Sequence, residues 1–158
     1  LNIVYNNGKA KVIIVDNKTT AMTGHQGNPG SGLNASGEEA PRADIEAVVR
    51  ALGVKNVFTV DPYQLKPTKA VIDEVMAMDE AAVIISRREC ALLKSAAKNP
   101  AVRALSDSCR SCGLCFRIGC PALYKIEGKA QVDPTLCSGC SMCVQVCPFG
   151  ALKEADNA

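Results

Sequence analysis

Eight of the nine cysteines crowd the stretch from Cys109 to Cys147, and their spacing is one that metal chemistry would use. Cys109, Cys112 and Cys115 fall at every third position and are followed by Cys120-Pro121; Cys137, Cys140 and Cys143 repeat the pattern, followed by Cys147-Pro148. A loop with thiolates at that spacing can wrap three corners of an iron-sulfur cubane, whose fourth ligand must come from elsewhere. Three other uses compete. Four disulfides would consume the same residues, but such frameworks rarely carry two copies of a triple Cys run with a trailing Cys-Pro. Two zinc ions would usually take separated Cys pairs and often His, and no His lies in this region. Unmetallated thiols would be chemically hazardous at such density. The doubled run favours two 4Fe-4S clusters.

In two-cluster ferredoxins the Cys before Pro serves the neighbouring cluster. Carried onto this chain, Cys109, Cys112, Cys115 and Cys147 hold the first cluster, and Cys137, Cys140, Cys143 and Cys120 the second. The small residues Ser111, Gly113, Ser138, Gly139 and Ser141 let backbone amides approach the sulfides. Four residues, Phe116 to Gly119, separate Cys115 from Cys120 where the second repeat has three, and Gly119 is placed to absorb the extra one. Between the repeats, Tyr124 to Val132 alternates around Glu127-Gly128 as a hairpin. Cys90 stands apart, before a helix expected at Ala91-Leu92-Leu93, and is read as a small, partly buried structural residue.

A second candidate is the loop Asp16-Asn17-Lys18-Thr19-Thr20-Ala21-Met22-Thr23-Gly24-His25-Gln26, at the carboxyl end of an expected strand, Lys11 to Val15. Open α/β sheets place their ligands at such ends. By spacing alone the loop is as well a turn as a phosphate or metal site, and His25 as well a solvated histidine as a ligand.

The elements that must position these groups alternate. Lys11 to Val15 has the unbroken apolar character of a strand covered on both faces. Ile45, Val48, Val49 and Leu52 recur at helical spacing and end at Gly53; Val57 to Val60 reads as a second strand. Thr68 is placed to cap a helix buried through Val71, Ile72, Val75 and Met78, and Ala82 to Ser86 reads as a third strand. Strand, helix, strand, helix, strand implies a parallel sheet, and three strands suggest part of a larger one. The domains expected are 1–95 α/β, 96–107 linker and 108–158 cluster-binding. The chain has 158 residues, is 47% hydrophobic, and carries 18 basic against 16 acidic residues. A net charge of +2 offers no nucleic-acid footprint, and no apolar run approaches the ~18 residues of a membrane span.

Asp-Asn followed three residues later by Ala-Met-Thr-Gly-His-Gln resembles the diphosphate-binding loop of thiamine diphosphate-dependent 2-oxoacid:ferredoxin oxidoreductases, in particular the large subunits acting on indolepyruvate. Asn2 to Asn6, Val60-Asp61-Pro62-Tyr63, Arg87 to Leu93 and the paired Cys runs extend the resemblance over essentially all of the chain. It implies an α/β partial thiamine diphosphate-binding domain followed by an α+β two-cluster bacterial ferredoxin-like domain. It implies Mg2+ held by the Asn17 side chain and the Thr19 carbonyl. It places Thr23, Gly24, His25 and Gln26 at the cofactor's diphosphate end, with His25 as a candidate catalytic residue. The family's other Mg2+ ligand, an Asp in a Gly-Asp pair, has no counterpart between Leu1 and Asp16, and the chain departs from the family at Gly27-Asn28.

The activity implied is oxidative decarboxylation of arylpyruvates to arylacetyl-CoA, with electrons passed through two 4Fe-4S clusters to ferredoxin. The partners implied are a smaller second subunit, ferredoxin, a 2-oxoacid and coenzyme A, in the cytoplasm, with no nucleic acid and no membrane. The activating Glu would lie upstream, so this stretch alone is expected to be inactive. Two alternatives stay open: an electron carrier with a docking domain and no thiamine cofactor, and the same enzyme class acting on another 2-oxoacid.

Overall fold

The computed structural model describes residues 1–93 and 99–155, divided into two compact units, Leu1–Ala96 and Ala97–Ala158. The first opens with a short helix α1 (Asn2–Tyr5), followed by β1 (Lys11–Asp16), α2 (Ile45–Ala51), β2 (Asn56–Val60), α3 (Leu65–Ala77) and β3 (Ala82–Arg87). The three strands are parallel in the order β1-β3-β2, so the last strand lies in the middle. Its side chains alternate between two layers. Ala82 and Ile84 meet Val60 and Val75 on the α3 side, while Val83 and Ile85 meet Val49 and Val57 on the α2 side. Ile85 is fully buried, which stabilises the sheet by about 2–3 kcal/mol relative to exposure.

This arrangement corrects the reading of β1. It is an edge strand, not one covered on both faces: Ile13 is 59% and Val15 72% exposed. Both β1 and β3 read as unbroken apolar runs, and only the strand order decides which is sandwiched. The α2 stripe is likewise half used, with Val49 buried and Val48 exposed. Asp44 caps α2 by accepting the Ala47 N–H (3.1 Å), and Gly53 follows its end at φ +91°.

The expected cap of α3 also moves. The helix starts at Leu65, so Pro67 occupies its first turn, where the missing N–H is not needed, and Thr68 lies inside it. The Thr68 hydroxyl instead donates to the Asp61 carbonyl (2.9 Å), tying α3 to the end of β2. Cys90 begins a turn rather than a helix, closed by the Leu93 N–H donating to its carbonyl (3.0 Å).

The second unit contains β4 (Arg103–Ala104), β5 (Leu123–Ile126), β6 (Lys129–Val132), α4 (Met142–Val146) and β7 (Leu152–Lys153). The pairs β4-β7 and β5-β6 are antiparallel. As expected, β5 and β6 form a hairpin, and its two turn residues, Glu127 (φ 49°) and Gly128 (φ 80°), are both left-handed, the type I′ pattern that suits strand twist. The stretch 96–107 is not a free linker where it is described. Val102 is buried in this unit's core beside Leu123, Ala130 and Leu152, and Arg103–Ala104 pairs with Leu152–Lys153; residues 94–98 lie outside the described ones. No helix among the described residues is long and apolar enough to cross a membrane.

Candidate cluster and cofactor sites

The two cysteine loops share one backbone shape. In the first, Ser111 (φ 55°) and Gly113 (φ 77°) are left-handed; in the second the equivalent Gly139 (φ 67°) and Ser141 (φ 58°) are too. Ser and Gly exchange places while the conformation is kept. Left-handed residues alternating with ordinary ones curl the chain into a concavity of amide groups suited to an anion, as an iron-sulfur cluster bearing four thiolates is. A short 3-10 turn (Leu114–Ile118) follows the first loop and the short helix α4 the second. The extra residue of the first repeat is taken up there, the turn ending at Gly119 with φ 68°.

The fold sorts the eight thiols into two groups. Cys115, which is buried, lines one pocket together with Cys109, Cys112 and Cys147. Burial pushes the Cys115 thiol up, and its neighbours Cys147, Cys109 and Cys112 add to the rise. Burial likewise pushes Cys143 up to about 11, with Cys140, Cys137 and Cys120 as its charged neighbours. Each buried thiol therefore sits with two cysteines of its own repeat and the Cys-Pro cysteine of the other.

Backbone donors reach the sulfurs. The Ala130 N–H donates to Cys109 Sγ (3.5 Å), that of Ala151 to Cys147 Sγ (3.3 Å) and that of Val102 to Cys137 Sγ (3.4 Å). The amides of Ala130 and Ser111 hold the Cys109 thiol below its ordinary range. All nine cysteines are free of disulfides. Among the described residues, no three His, Cys, Asp or Glu side chains close to the spacing of a single metal ion. Four thiolates on one zinc, each at about 2.3 Å, would lie within about 3.8 Å of one another, whereas a cubane holds its thiolates on outer corners and needs a wider cradle. The residues present fit a cluster.

In the first unit the loop after β1 is tied at both ends. The Thr20 N–H donates to the Gln26 carbonyl (3.0 Å) and the Asn28 side-chain amide to the Thr20 hydroxyl (3.2 Å). Asn17 Oδ1 accepts the Thr19 N–H (3.1 Å) and keeps a second lone pair, while the Thr19 carbonyl takes no backbone hydrogen bond among the described residues. Thr19 itself is 8% exposed. These two oxygens are a donor set that Mg2+ accepts alongside phosphate and water. Thr23, Gly24, His25 and Gln26 are all exposed at the loop's tip, with Gln26 Nε2 donating to the Thr23 carbonyl (2.6 Å) and His25 left-handed at φ 60°.

The residues that hold this loop lie at and just beyond the end of β3, and the sequence reading gave Arg87, Arg88 and Glu89 no role. The Arg88 N–H donates to the Asp16 carbonyl and the Cys90 N–H to the Asn17 carbonyl (3.0 and 3.1 Å), so strand pairing continues into the loop. Arg87 Nε donates to Asp16 Oδ2 (2.9 Å), and Lys18 pairs with Glu89, whose carboxyl it holds below the ordinary range. Arg88 in turn reaches Asp61 Oδ2 (2.9 Å) and lies 4.3 Å over the Tyr63 ring. The available signal was the complementary charge of Asp16 and Arg87, which become register partners once β1 and β3 are paired. Cys90 is half-buried, as expected, and serves through its backbone.

Residues 1–86 match the family model for the thiamine pyrophosphate enzyme C-terminal TPP-binding domain, and residues 130–153 match that for the 4Fe-4S binding domain. The chain is 39% identical over 154 residues to the indolepyruvate oxidoreductase subunit IorA of Methanothermobacter thermautotrophicus, covering 97% of this chain and 25% of that one. It is 40% identical to the subunit of that name from Thermococcus kodakarensis (96% and 25%) and 37% to that from Archaeoglobus fulgidus (99% and 26%). It thus spans about a quarter of the length of these curated relatives. No solved structure matches. With over half its length inside the first domain, the chain belongs to the thiamine pyrophosphate enzyme family, carrying the C-terminal TPP-binding domain and, beyond it, a 4Fe-4S domain, and it is homologous to the C-terminal portion of indolepyruvate oxidoreductase subunit IorA.

Proposed function

We propose that this chain is the C-terminal part of the large subunit of an oxidoreductase that oxidatively decarboxylates arylpyruvates such as indolepyruvate to arylacetyl-CoA. In this reading its cysteine loops carry two 4Fe-4S clusters on the way to ferredoxin. The observation that carries it is the sorting of eight thiols into Cys109, Cys112, Cys115 and Cys147 and into Cys137, Cys140, Cys143 and Cys120, in the same chain as a TPP-binding domain. The arylpyruvate substrate rests on the relatives, which are indolepyruvate oxidoreductase subunits.

When bound, thiamine diphosphate supplies the electron sink that lets a 2-oxoacid lose carbon dioxide, and Mg2+ ties its diphosphate to the protein. Asn17 and the Thr19 carbonyl would hold the Mg2+, and Thr23, Gly24, His25 and Gln26 would line the diphosphate end, with His25 the candidate catalytic residue. Arg87, Glu89 and Cys90 brace that loop against the end of β3. Oxidation of one 2-oxoacid releases two electrons, and two one-electron sites in one small unit match that count. A smaller second subunit, coenzyme A and ferredoxin complete the reaction.

Anaerobic reconstitution tests the cluster half of the proposal: about eight iron and eight acid-labile sulfide per chain are expected, with a broad brown absorption. About two zinc ions and no iron would overturn it. For the substrate, the complete enzyme is to be assayed on indolepyruvate, phenylpyruvate, pyruvate and 2-oxoglutarate, and preference for pyruvate would defeat the arylpyruvate assignment.

A further inference from the structure

The two cysteine loops share a backbone but not an environment. At Gly139 a Cβ would lie 2.6 Å from Asn99 Cβ and 2.7 Å from the carbonyls of both Asn99 and Pro100, so the segment Asn99–Pro100 rests directly on the second loop. Asn99 Nδ2 donates to the Gly139 carbonyl (3.4 Å) and the Val102 N–H to Cys137 Sγ (3.4 Å). The first loop is approached less closely: the β5-β6 hairpin gives it the Ala130 N–H to Cys109 Sγ (3.5 Å), but a Cβ on Gly128 would lie 3.6 Å from Ser111 Oγ, an ordinary contact. Its equivalent residue, Ser111, is exposed, and so is Cys112, the one exposed cysteine among the described residues.

What surrounds the open loop has the composition of a docking surface. Leu114 and Phe149, both exposed, line the pocket with Cys112 and form an apolar centre. Arg110 lines the same pocket, Arg117 is next in sequence to the pocket-lining Phe116, and Lys125 and Lys129 stand on the β5-β6 hairpin; none of the four is in an ion pair among the described residues. The β5-β6 hairpin brings two of them in: Lys125 Nζ lies 4.9 Å from the Phe116 ring centroid, and Lys129 is close enough to Cys109 to help lower its thiol. Glu127 in the hairpin turn is an acidic residue on the same hairpin.

An apolar centre with a mainly basic rim, four cations against the one carboxylate of Glu127, selects a partner of the opposite sign and speeds its encounter. From this asymmetry we infer that electrons leave the chain through the first cluster, at the face made by Cys112, Leu114 and Phe149, to a small acidic electron-carrier protein steered by Arg110, Arg117, Lys125 and Lys129. The inference rests on the two-cluster reading above. One electron moves in each encounter: the first cluster is oxidised, the carrier's centre is reduced, and no bond or proton need change hands.

The test uses the iron-loaded chain and an acidic two-cluster ferredoxin as probe, with binding measured by calorimetry from low to high salt. The double variant Arg117→Glu/Lys125→Glu is expected to keep its iron and sulfide, to bind at least tenfold more weakly at low salt, and to lose most of the salt dependence. Leu136→Glu, which alters the exposed approach to the second loop, is expected to bind as the parent does. Unchanged binding by the double variant, or weakening by Leu136→Glu alone, would overturn the inference. Absence of iron in the parent would instead reject the cluster reading on which it rests.

Discussion

Replacing Gly139 with Ala tests the lid and the loop shape together. Two costs follow from the structure. A left-handed residue with a Cβ costs about 1–2 kcal/mol, and the three atoms that this Cβ would meet, two of them backbone carbonyls, must move aside, for which overpacking costs about 1–3 kcal/mol. Together they destabilise the loaded second unit by about 2–5 kcal/mol, some thirtyfold to several thousandfold in the folding equilibrium. Gly119→Ala is the control, because Gly119 has the same left-handed conformation (φ 68°) with nothing within 4 Å of its Cβ and does not line the cysteine pocket, so only the first cost applies. The assay is anaerobic denaturation of the iron-loaded chain, followed by cluster absorbance, with all variants under identical conditions. Gly139→Ala is expected to fall well below Gly119→Ala, which falls modestly below the parent. Equal midpoints for the two variants would refute the claim that Asn99–Pro100 presses on the second loop.

Arg88→Ala removes both the Asp61 contact and the Tyr63 stacking, and since both partners are part-exposed the loss is about 1 kcal/mol in urea unfolding; a double-mutant cycle with Asp61→Asn assigns the ionic share. The Glu89 carboxyl has a folded pKa below its unfolded value, so the stabilisation it lends the loop is fully present above about pH 4.3 and is lost as pH falls through the lowered value. Hydrogen exchange of residues 17–26 is expected to quicken over that acid window in the parent and to lose this pH dependence in Glu89→Gln. Asn17→Ala removes both the acceptor of the Thr19 N–H and the proposed Mg2+ oxygen, and is expected to weaken Mg2+-dependent thiamine diphosphate binding by the complete enzyme at least tenfold by calorimetry; unchanged affinity would place the metal elsewhere.

In the second unit the cysteine loops and the hairpin were legible because they are local: Cys at every third residue, Glu127-Gly128 at the turn and Gly119 after the longer repeat each constrain only their neighbours, whereas Val102 and the β4-β7 pair, read as linker, depend on contacts far along the chain. The existence of the three parallel strands and of α2 was legible for the same reason. The strand order was not. Lys11–Val15 and Ala82–Ile85 carry equivalent apolar runs, and it is long-range pairing that sandwiches the second and leaves the first at the edge. The bracing of the cofactor loop by Arg87, Arg88 and Glu89 escaped notice for a related reason, since these residues meet Asp16, Asp61 and Lys18 only after β3 inserts between β1 and β2. Gly139 could be read as a small residue between ligands, but the reason it must be glycine lies forty residues upstream, at Asn99.

The position of β1 bears on how the chain behaves in the test tube. Its amide and carbonyl groups pair with β3 on one flank, and Ile13, Val15 and, nearby, Val48 offer greasy side chains to whatever approaches the other. A bare strand margin bordered by such groups is a template for lateral stacking with identical molecules. Prepared on its own and concentrated, the polypeptide is thus inclined to self-associate through this seam, and an added strand that zips along Lys11–Asp16 would act as its solubilising partner.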